Sequence, residues 1–358
     1  MGLNELIRSM FNSWMGHEGP EGDIVLGTRI RLARNLRKLP FPRAAKKEHL
    51  QQVTSVAEEM AGHLQDFGTI SYLKMAEIPL LDRQLMVEKH LVSPNHAENP
   101  THKALLLRDR EDISIMVNEE DHFRLQVLFA GLQLNQAWQS ISALDDCFEG
   151  QVDYAFDEQW GYLTACPTNV GTGMRASVML HLPGLALVGQ LTQVLNHVSK
   201  FGLSVRGIYG EGSESYGNVF QLSNQLTLGH AEEETIEHLA KVTMQIIEGE
   251  RQARDFLKQP DRRTSSEDKA YRALGVLSHA RVMSTREAME LLSDVRLGID
   301  LGFINNLEAN VLKELMVLTR AAHLQKVMGQ NLPSEERDRL RADLIRERLA
   351  FGTNRQLK

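Results

Sequence analysis

CPTNVGTGMRASVMLHLP, residues Cys166 to Pro183, is the stretch on which the reading of this chain turns. Asn169, Gly171 and Gly173 supply the permissive positions of a tight loop, because a backbone that closely approaches an anion has no room there for bulky side chains. From Met174 onward the pattern alternates. Ala176, Val178, Leu180 and Leu182 share one face and Arg175, Ser177, Met179 and His181 the other, the period of a half-buried strand. Arg175 therefore opens a strand and points away from its apolar side. Two readings fit these residues: a loop that handles phosphate, or a hairpin turn with a surface arginine and a buried cysteine. The residue order is not G-x-x-x-x-G-K-[ST], so a Walker-type nucleotide loop is not supported.

Upstream, the segment from Asp23 to Arg34 alternates in the same way, with Ile24, Leu26, Ile30 and Leu32 on one side and Arg29 and Arg31 on the other. Two guanidiniums on one strand face repel unless an anion or a carboxylate sits between them, so the pair either binds phosphate or is neutralised by an acidic neighbour. Two strand-like runs, Lys103 to Arg108 and Ile113 to Asn118, form a hairpin through residues 109–112. The run Asn118, Glu119, Glu120, Asp121, His122 follows directly. Three carboxylates in a row are either a site that grips a cation or a solvated acidic loop.

The chain has 358 residues, 42% hydrophobic and 24% charged, with a net charge of -7. That describes a globular protein with a sizeable core and gives no electrostatic case for direct nucleic-acid binding. Cys147 and Cys166 cannot make a disulfide framework and show no zinc-ligand spacing, so a reducing cytoplasm is expected. No run is long and apolar enough to span a membrane, and the first residues carry no secretory signal. Met1-Gly2 matches the start of a myristoylation signal, but Leu6 stands where Ser or Thr is needed.

Helical periodicity predicts an N-terminal amphipathic helix over 3–15 and further helices over 44–64, 131–145, 186–200 and 232–254. Between the last two, Glu211 sits between Gly210 and Gly212, a setting suited to a loop that closes on substrate. Residues 259–268 read as a polar linker, and helices are predicted beyond it over 269–282, 285–295, 306–327 and 334–350, with Ser334 as the cap of the last. In that last helix Arg337 and Arg341 share a face with Asp338 beside them, which local chemistry reads as a solvated charged surface.

Four segments together, GTRIRLAR at 27–34, VNEEDHFR at 117–124, CPTNVGTGMRASVMLHLP at 166–183 and RGIYGEGSE at 206–214, resemble the phosphagen (guanidino) kinases. The chain departs from the small-guanidine kinases at both ends. They carry a helical domain before the first arginine strand that is missing here, and this chain has instead the C-terminal helices ending in RDRLRA at 337–342. That combination is similar to the bacterial protein arginine kinases.

The resemblance implies an α+β fold: a catalytic domain over 1–254, an antiparallel sheet flanked by helices in the manner of glutamine synthetase, then an all-α domain over 255–358 that binds phosphoarginine and dimerises. It implies an ATP-dependent kinase for arginine side chains of proteins, or, as the alternative, for free arginine or another small guanidine. An inactive phosphoarginine-binding module is a third possibility. Glu120 and Glu211 would clamp and deprotonate the guanidinium, and Cys166 would orient it. Arg29, Arg31, Arg124, Arg175 and Arg206 would bind the phosphates of ATP or ADP, with His90 at the nucleotide and Thr28, Ile30, Ala176, Ser177, Val178, Met179, Gly207 and Gly210 contributing. Mg²⁺ would come with ATP and have no direct protein ligand. Arg337, Asp338, Arg341 and Ala342 would form an allosteric phosphoarginine site. The implied partners are a zinc-containing McsA-like activator, a CtsR-like heat-shock repressor, a ClpC-like unfoldase and a second copy of the chain.

Overall fold

A computed structural model describes residues 19–207 and 215–354, with side chains described as far as residue 350. In chain order its elements begin with β1 (Val25–Arg34), α1 (Lys47–His63), β2 (Ile70–Lys74), α2 (Leu80–Glu88) and α3 (Pro94–Glu98). They continue through β3 (Ala104–Arg108), β4 (Ile113–Val117), β5 (Phe123–Ala130), α4 (Leu134–Glu149), β6 (Phe156–Asp157) and β7 (Gly161–Tyr162). Then come β8 (Met174–His181), α5 (Pro183–Leu187), α6 (Leu191–Ser199), β9 (Leu203–Gly207) and β10 (Val219–Asn224). The remainder is helical: α7 (Glu232–Leu257), α8 (Pro260–His279), α9 (Thr285–Asp300), α10 (Ala309–Leu318), α11 (Ala321–Met328) and α12 (Ser334–Asn354). The predicted helix over 3–15 lies outside the described residues.

Eight strands form one sheet in the order β2-β3-β4-β5-β1-β8-β10-β9, and every pairing is antiparallel. The two-residue strands β6 and β7 pair as a separate hairpin. The alternation visible in β1 and β8 has the consequence expected of a pleated strand. Ile30, Leu32, Ala176, Val178 and Leu180 enter a core shared with Val53 and Met60 of α1, Ile141 and Leu144 of α4, and Leu239 and Ile246 of α7. The opposite face carries arginines beside a smaller apolar cluster. Leu26 departs from the expected side: a register shift between Val25 and Gly27 turns it to pack with Leu91, Leu128 and Met179.

Two predicted helices, one predicted linker and one predicted cap differ in the structure. The span 186–200 is two helices, because Gly189 at φ +75 takes a left-handed turn between them. Residues 259–268 are not a linker. Pro260 occupies the first turn of α8, and the polar character of its outer face reflects exposed pairs such as Arg272 to Asp268, 2.6 Å apart, while Ser266, Ala270, Ala273 and Leu277 are buried. The span 306–327 breaks after Leu318, where Arg320 is extended, and α11 restarts with the Glu88 carboxylate accepting from the amides of Ala322 (2.8 Å) and His323 (3.0 Å). Ser334 is the first helical residue of α12 and not its cap, since Arg337 donates its amide to the Pro333 carbonyl.

The C-terminal helices pack onto the sheet-bearing part through polar and apolar contacts. His181 Nε2 and Asn218 Nδ2 both meet Ser293 Oγ, at 2.8 and 3.0 Å. Arg254 bridges Glu250 (2.8 Å) and Asp300 (3.3 Å), and Val317 joins Leu91, Leu128 and Met179. Among the described residues no helix is long and apolar enough to cross a membrane.

Candidate active site

The polar face of the sheet carries the cations. β1 contributes Arg29 and Arg31, β5 Arg124, β8 Arg175 and the edge strand β9 Arg206. Register brings them together: Arg31 lies opposite Arg175 on one side and Gln126 on the other, and Gln221 of β10 lies opposite both Met179 and Arg206. Only Arg124 has a carboxylate partner among the described residues, Glu119 at 2.8 Å. Arg29 donates through Nη2 to Gln221 at 2.9 Å, but the buried Nε atoms of Arg29 and Arg31 have no hydrogen-bond partner. Burial, then the charges of Arg124 and Arg175, pushes Arg29 down to about 10. Arg31 falls well below its ordinary value, by burial first and then by Arg29, Arg124 and Arg175. A guanidinium keeps its proton in practice, so these shifts register unrelieved positive potential that an anion would remove.

The three consecutive carboxylates of the β4–β5 turn have three different environments. Glu119 accepts from Arg124 and from Ser93 Oγ (2.6 Å), and although burial opposes it, these partners hold it below the usual carboxylate range. Asp121 accepts from Asn35 Nδ2 and from the Ala165 amide, each at 2.6 Å, so it ties the turn to the loop that carries Cys166. Glu120 alone faces the cleft. Burial, then repulsion from Asp121 and Glu119, raises its pKa, which suits a base that must take a proton from a strongly basic group.

A cleft of about 110 Å³ opens between these groups, lined by Arg31, Glu120, Arg124, Cys166, Asn169 and Arg175. Cys166 is half-buried, with Sγ 3.0 Å from Thr168 Oγ1. The loop behind it is held by Thr227, whose hydroxyl bonds the carbonyls of Thr168 (3.0 Å) and Val170 (2.7 Å), and by Arg34, which donates to the Thr172 carbonyl at 2.9 Å. Arg34 is itself fixed by Asp145 at 2.6 Å and by Tyr162, whose ring centre lies 3.4 Å from the guanidinium carbon. Gly173 is at φ +64, and a Cβ there would sit 2.6 Å from Arg34 Nη1.

His90 stands above the same face. Its backbone is left-handed at φ +61, and its carbonyl accepts from Gln126 Nε2 at 2.8 Å. Burial, then Arg320, Arg29, Arg31 and His323, holds its pKa well below the ordinary value, so the imidazole is neutral.

Several predicted positions lie elsewhere. Ile30, Ala176 and Val178 are on the core face of the sheet, so their side chains cannot contact a ligand held by the arginines. Thr28 is also buried, donating to the Gly131 carbonyl (2.7 Å) and accepting from the Gln133 amide. Ser177 and Met179 are on the arginine face, though Ser177 donates to the Arg29 carbonyl and Met179 packs among Leu91 and Leu128. Gly207 closes β9, and Gly210 and Glu211 lie outside the described residues.

In α12 the expectation of Arg337 and Arg341 as a shared exposed face is corrected. Arg341 is buried, donating to the carbonyls of Thr319 and Met283, both at 2.7 Å, and pairing with Asp338. Ala342 is buried with it, and Arg337 is half-exposed. Sequence reasoning did not single out Gln221, Arg34 or Arg320, and it did not separate Asp121 from its two acidic neighbours. Their roles depend on partners distant in the chain; for Arg34 alone a local hint existed, an arginine closing a strand at a position the alternation assigns to the core.

The family model for the ATP:guanido phosphotransferase C-terminal catalytic domain matches residues 51–253, and that for the protein-arginine kinase McsB C-terminal domain matches 263–358. A protein-arginine kinase of Halothermothrix orenii is 52% identical over 98% of this chain and 99% of its own length. One from Bacillus cereus is 49% identical over 99% of this chain and the whole of the relative. Among solved structures, a lombricine kinase aligns with TM-score 0.57 at 22% identity, covering 66% of this chain and 68% of its own. A duplicated taurocyamine kinase from Schistosoma mansoni, with bound transition state analog components, aligns with TM-score 0.60 at 22% identity, covering 79% of this chain and 40% of its own. At that identity the two structures establish a common fold, and the full-length relatives carry the assignment further. The chain belongs to the ATP:guanido phosphotransferases, and among them to the protein-arginine kinases.

Proposed function

We propose that this protein transfers the γ-phosphoryl group of Mg-ATP to arginine side chains of polypeptides. The observation that carries the reading is the row of guanidiniums on one sheet face, with two buried Nε donors lacking acceptors, beside a cleft that presents a carboxylate of raised pKa. Planar guanidinium donors match phosphate oxygens, so the donor set fits a polyphosphate. Mg²⁺ bound with the nucleotide would neutralise charge between phosphate oxygens.

The residues of the chain then have distinct tasks. Arg29, Arg31, Arg124, Arg175 and Arg206 hold the phosphates and the transferring group in line, and His90 borders the nucleotide. Glu120 accepts a proton from the substrate guanidinium, whose pKa above ~12 otherwise makes it a poor nucleophile. Glu211 supplies the second carboxylate of the clamp, and Cys166 orients the guanidinium. A guanidinium nitrogen forms the new N–P bond as the bond between Pγ and the bridging oxygen breaks, and that electron pair leaves on ADP. Catalysis is thus positioning and charge stabilisation more than covalent chemistry.

Residues 255–358 form, in this reading, a domain for phosphoarginine binding and dimerisation. Arg337 meets the phosphoryl oxygens, and Arg341 with Asp338 makes the floor of the site next to Ala342. The cellular role follows the family: a cytoplasmic kinase acting with a zinc-containing activator on a heat-shock repressor and on proteins destined for a Clp unfoldase.

Incubation with ATP, Mg²⁺ and an unfolded protein, followed by mass spectrometry at neutral pH, is expected to find phosphoarginine on the added protein. Its absence, or turnover of free L-arginine at a rate rivalling the protein, overturns the reading. Added phosphoarginine is expected to change the rate of the native enzyme and to leave that of Arg337→Ala unchanged.

A further inference from the structure

A second concavity, of about 280 Å³, flanks the catalytic loop on the side away from the arginines. Its walls are Phe156, Trp160, Tyr162, Gly171, Leu228 and Glu232. Three of these are large apolar side chains left substantially open to water: Phe156 is 43% exposed, Trp160 48% and Leu228 47%. Such residues gathered around one hollow, with a polar rim, mark a contact surface.

These side chains are rigidly placed with respect to the chemistry. Asp157 Oδ1 accepts the amides of Gln159 (2.9 Å) and Trp160 (3.0 Å), which fixes the β6–β7 turn and the tryptophan on it. The Phe156 and Tyr162 rings meet edge-on at 5.2 Å, and Tyr162 lies against Arg34. The Tyr162 amide donates to the Gly171 carbonyl at 2.8 Å. Gly161 and Gly171 pass so closely that a Cβ on Gly161 would lie 2.6 Å from the Gly171 oxygen, and one on Gly171 would lie 2.2 Å from the Thr227 oxygen. Backbone therefore abuts backbone from the aromatic hairpin to the loop, and from the loop to Leu228. Residues 168, 169 and 173 of that loop line the Glu120 and Cys166 cleft, whereas 171 and 172 line the aromatic hollow. The loop is a common wall.

A polypeptide that inserts an arginine into the cleft must continue across one of the cleft's walls, and its neighbouring side chains fall within reach because an extended chain advances only ~3.3 Å per residue. Glu232 lines the hollow and Asp157 and Glu158 precede Trp160 in its turn, carboxylates that complement a segment bearing arginine, while Arg37, which donates to the Phe156 carbonyl at 3.0 Å, is paired with Asp153. We propose that Phe156, Trp160 and Leu228 form a subsite for an apolar or aromatic side chain of the substrate polypeptide, close in sequence to the arginine that is phosphorylated. The inference rests on the protein-arginine kinase reading above. Its consequence is selectivity: arginines beside apolar residues, which are exposed together when a protein unfolds, are phosphorylated in preference to arginines in polar surroundings.

The test uses the full-length enzyme, Mg-ATP and two peptides that differ only in the neighbours of a single arginine, leucine and phenylalanine in one, serine and glycine in the other. The native enzyme is expected to favour the apolar peptide about tenfold in kcat/KM, the worth of burying part of one large side chain. In the double variant Trp160→Ser, Leu228→Ser the preference is expected to collapse through a rise in KM for the apolar peptide. Trp160→Phe, which keeps apolar area, is expected to retain it. Equal use of both peptides by the native enzyme overturns the subsite, as does a double variant that keeps the preference or loses both peptides equally. Failure to phosphorylate either peptide or any protein overturns the kinase reading itself and the subsite with it.

Discussion

The unequal fate of three adjacent carboxylates shows how little of a site resides in residue type. Glu119 is consumed by Arg124 and Asp121 by the Ala165 amide, leaving Glu120 to face the cleft. Glu120→Gln is expected to lower kcat by about 10² to 10⁴, the usual worth of a positioned base. The acidic limb of the native pH–rate profile should lie above the ~4.3 of an ordinary glutamate, because the base acts deprotonated and its pKa is raised, so activity is lost as pH falls through that value. The variant should lose this limb, measured under a neutral quench. Arg31→Ala is expected to cost about 10² to 10³ in rate, by analogy with deletion of a preorganised donor at developing charge. Arg29, Arg31 and Arg175 were legible in the sequence through alternation, whereas Arg124 and Arg206 were named only by the family resemblance. Which groups meet the arginines was not legible, since that depends on the β4–β5 turn bringing Glu119 to Arg124 and on β10 bringing the neutral amide of Gln221 to Arg29.

At the scale of elements, β1, β3, β4 and β8 were read from their patterns, whereas β2, β5, β9, β10 and the helix breaks were not. Alternation in β1 and β8 depends on the two chains beside each strand only through burial, so a local pattern suffices. The break between α10 and α11 has its cause in Glu88, more than two hundred residues away, whose carboxylate accepts the first-turn amides that a continuous helix would have satisfied itself. Arg341 escaped for a similar reason: its acceptors are carbonyls at 283 and 319, invisible to the helical period. The loop from Cys166 to Gly173 shows the opposite case, because its glycines announce it. Gly173→Ala is expected to destabilise the protein by about 1 to 3 kcal/mol, given φ +64 and the 2.6 Å approach to Arg34, and to depress activity more than denaturation midpoints alone account for.

Across the whole molecule, a single short stretch serves both halves. Glu88 accepts from Ala322, His323 and, through its own carbonyl (2.8 Å), the Arg320 guanidinium, while His90 two residues on borders the arginine face. Glu88→Ala is expected to lower unfolding free energy by about 3 kcal/mol, the cost of leaving buried donors unanswered. Although burial opposes it, the bond to His323 and the charge of Arg320 hold the Glu88 carboxyl below its ordinary value. Its contribution is therefore complete above ~4.3 and fades as pH falls through the lower folded value, so the gap between native and variant midpoints should narrow only in acid. Excision of the sheet-bearing part as a free-standing enzyme, with the chain ending near residue 258, would strip Val317 from Leu91, Leu128 and Met179 and take the Ala322 and His323 donors away from the Glu88 carboxylate. The sheet-bearing half is thus no portable cassette: chimeras joined at that boundary inherit a bare apolar patch on the same face as the arginines, and a graft that works must carry α10 and α11 with it.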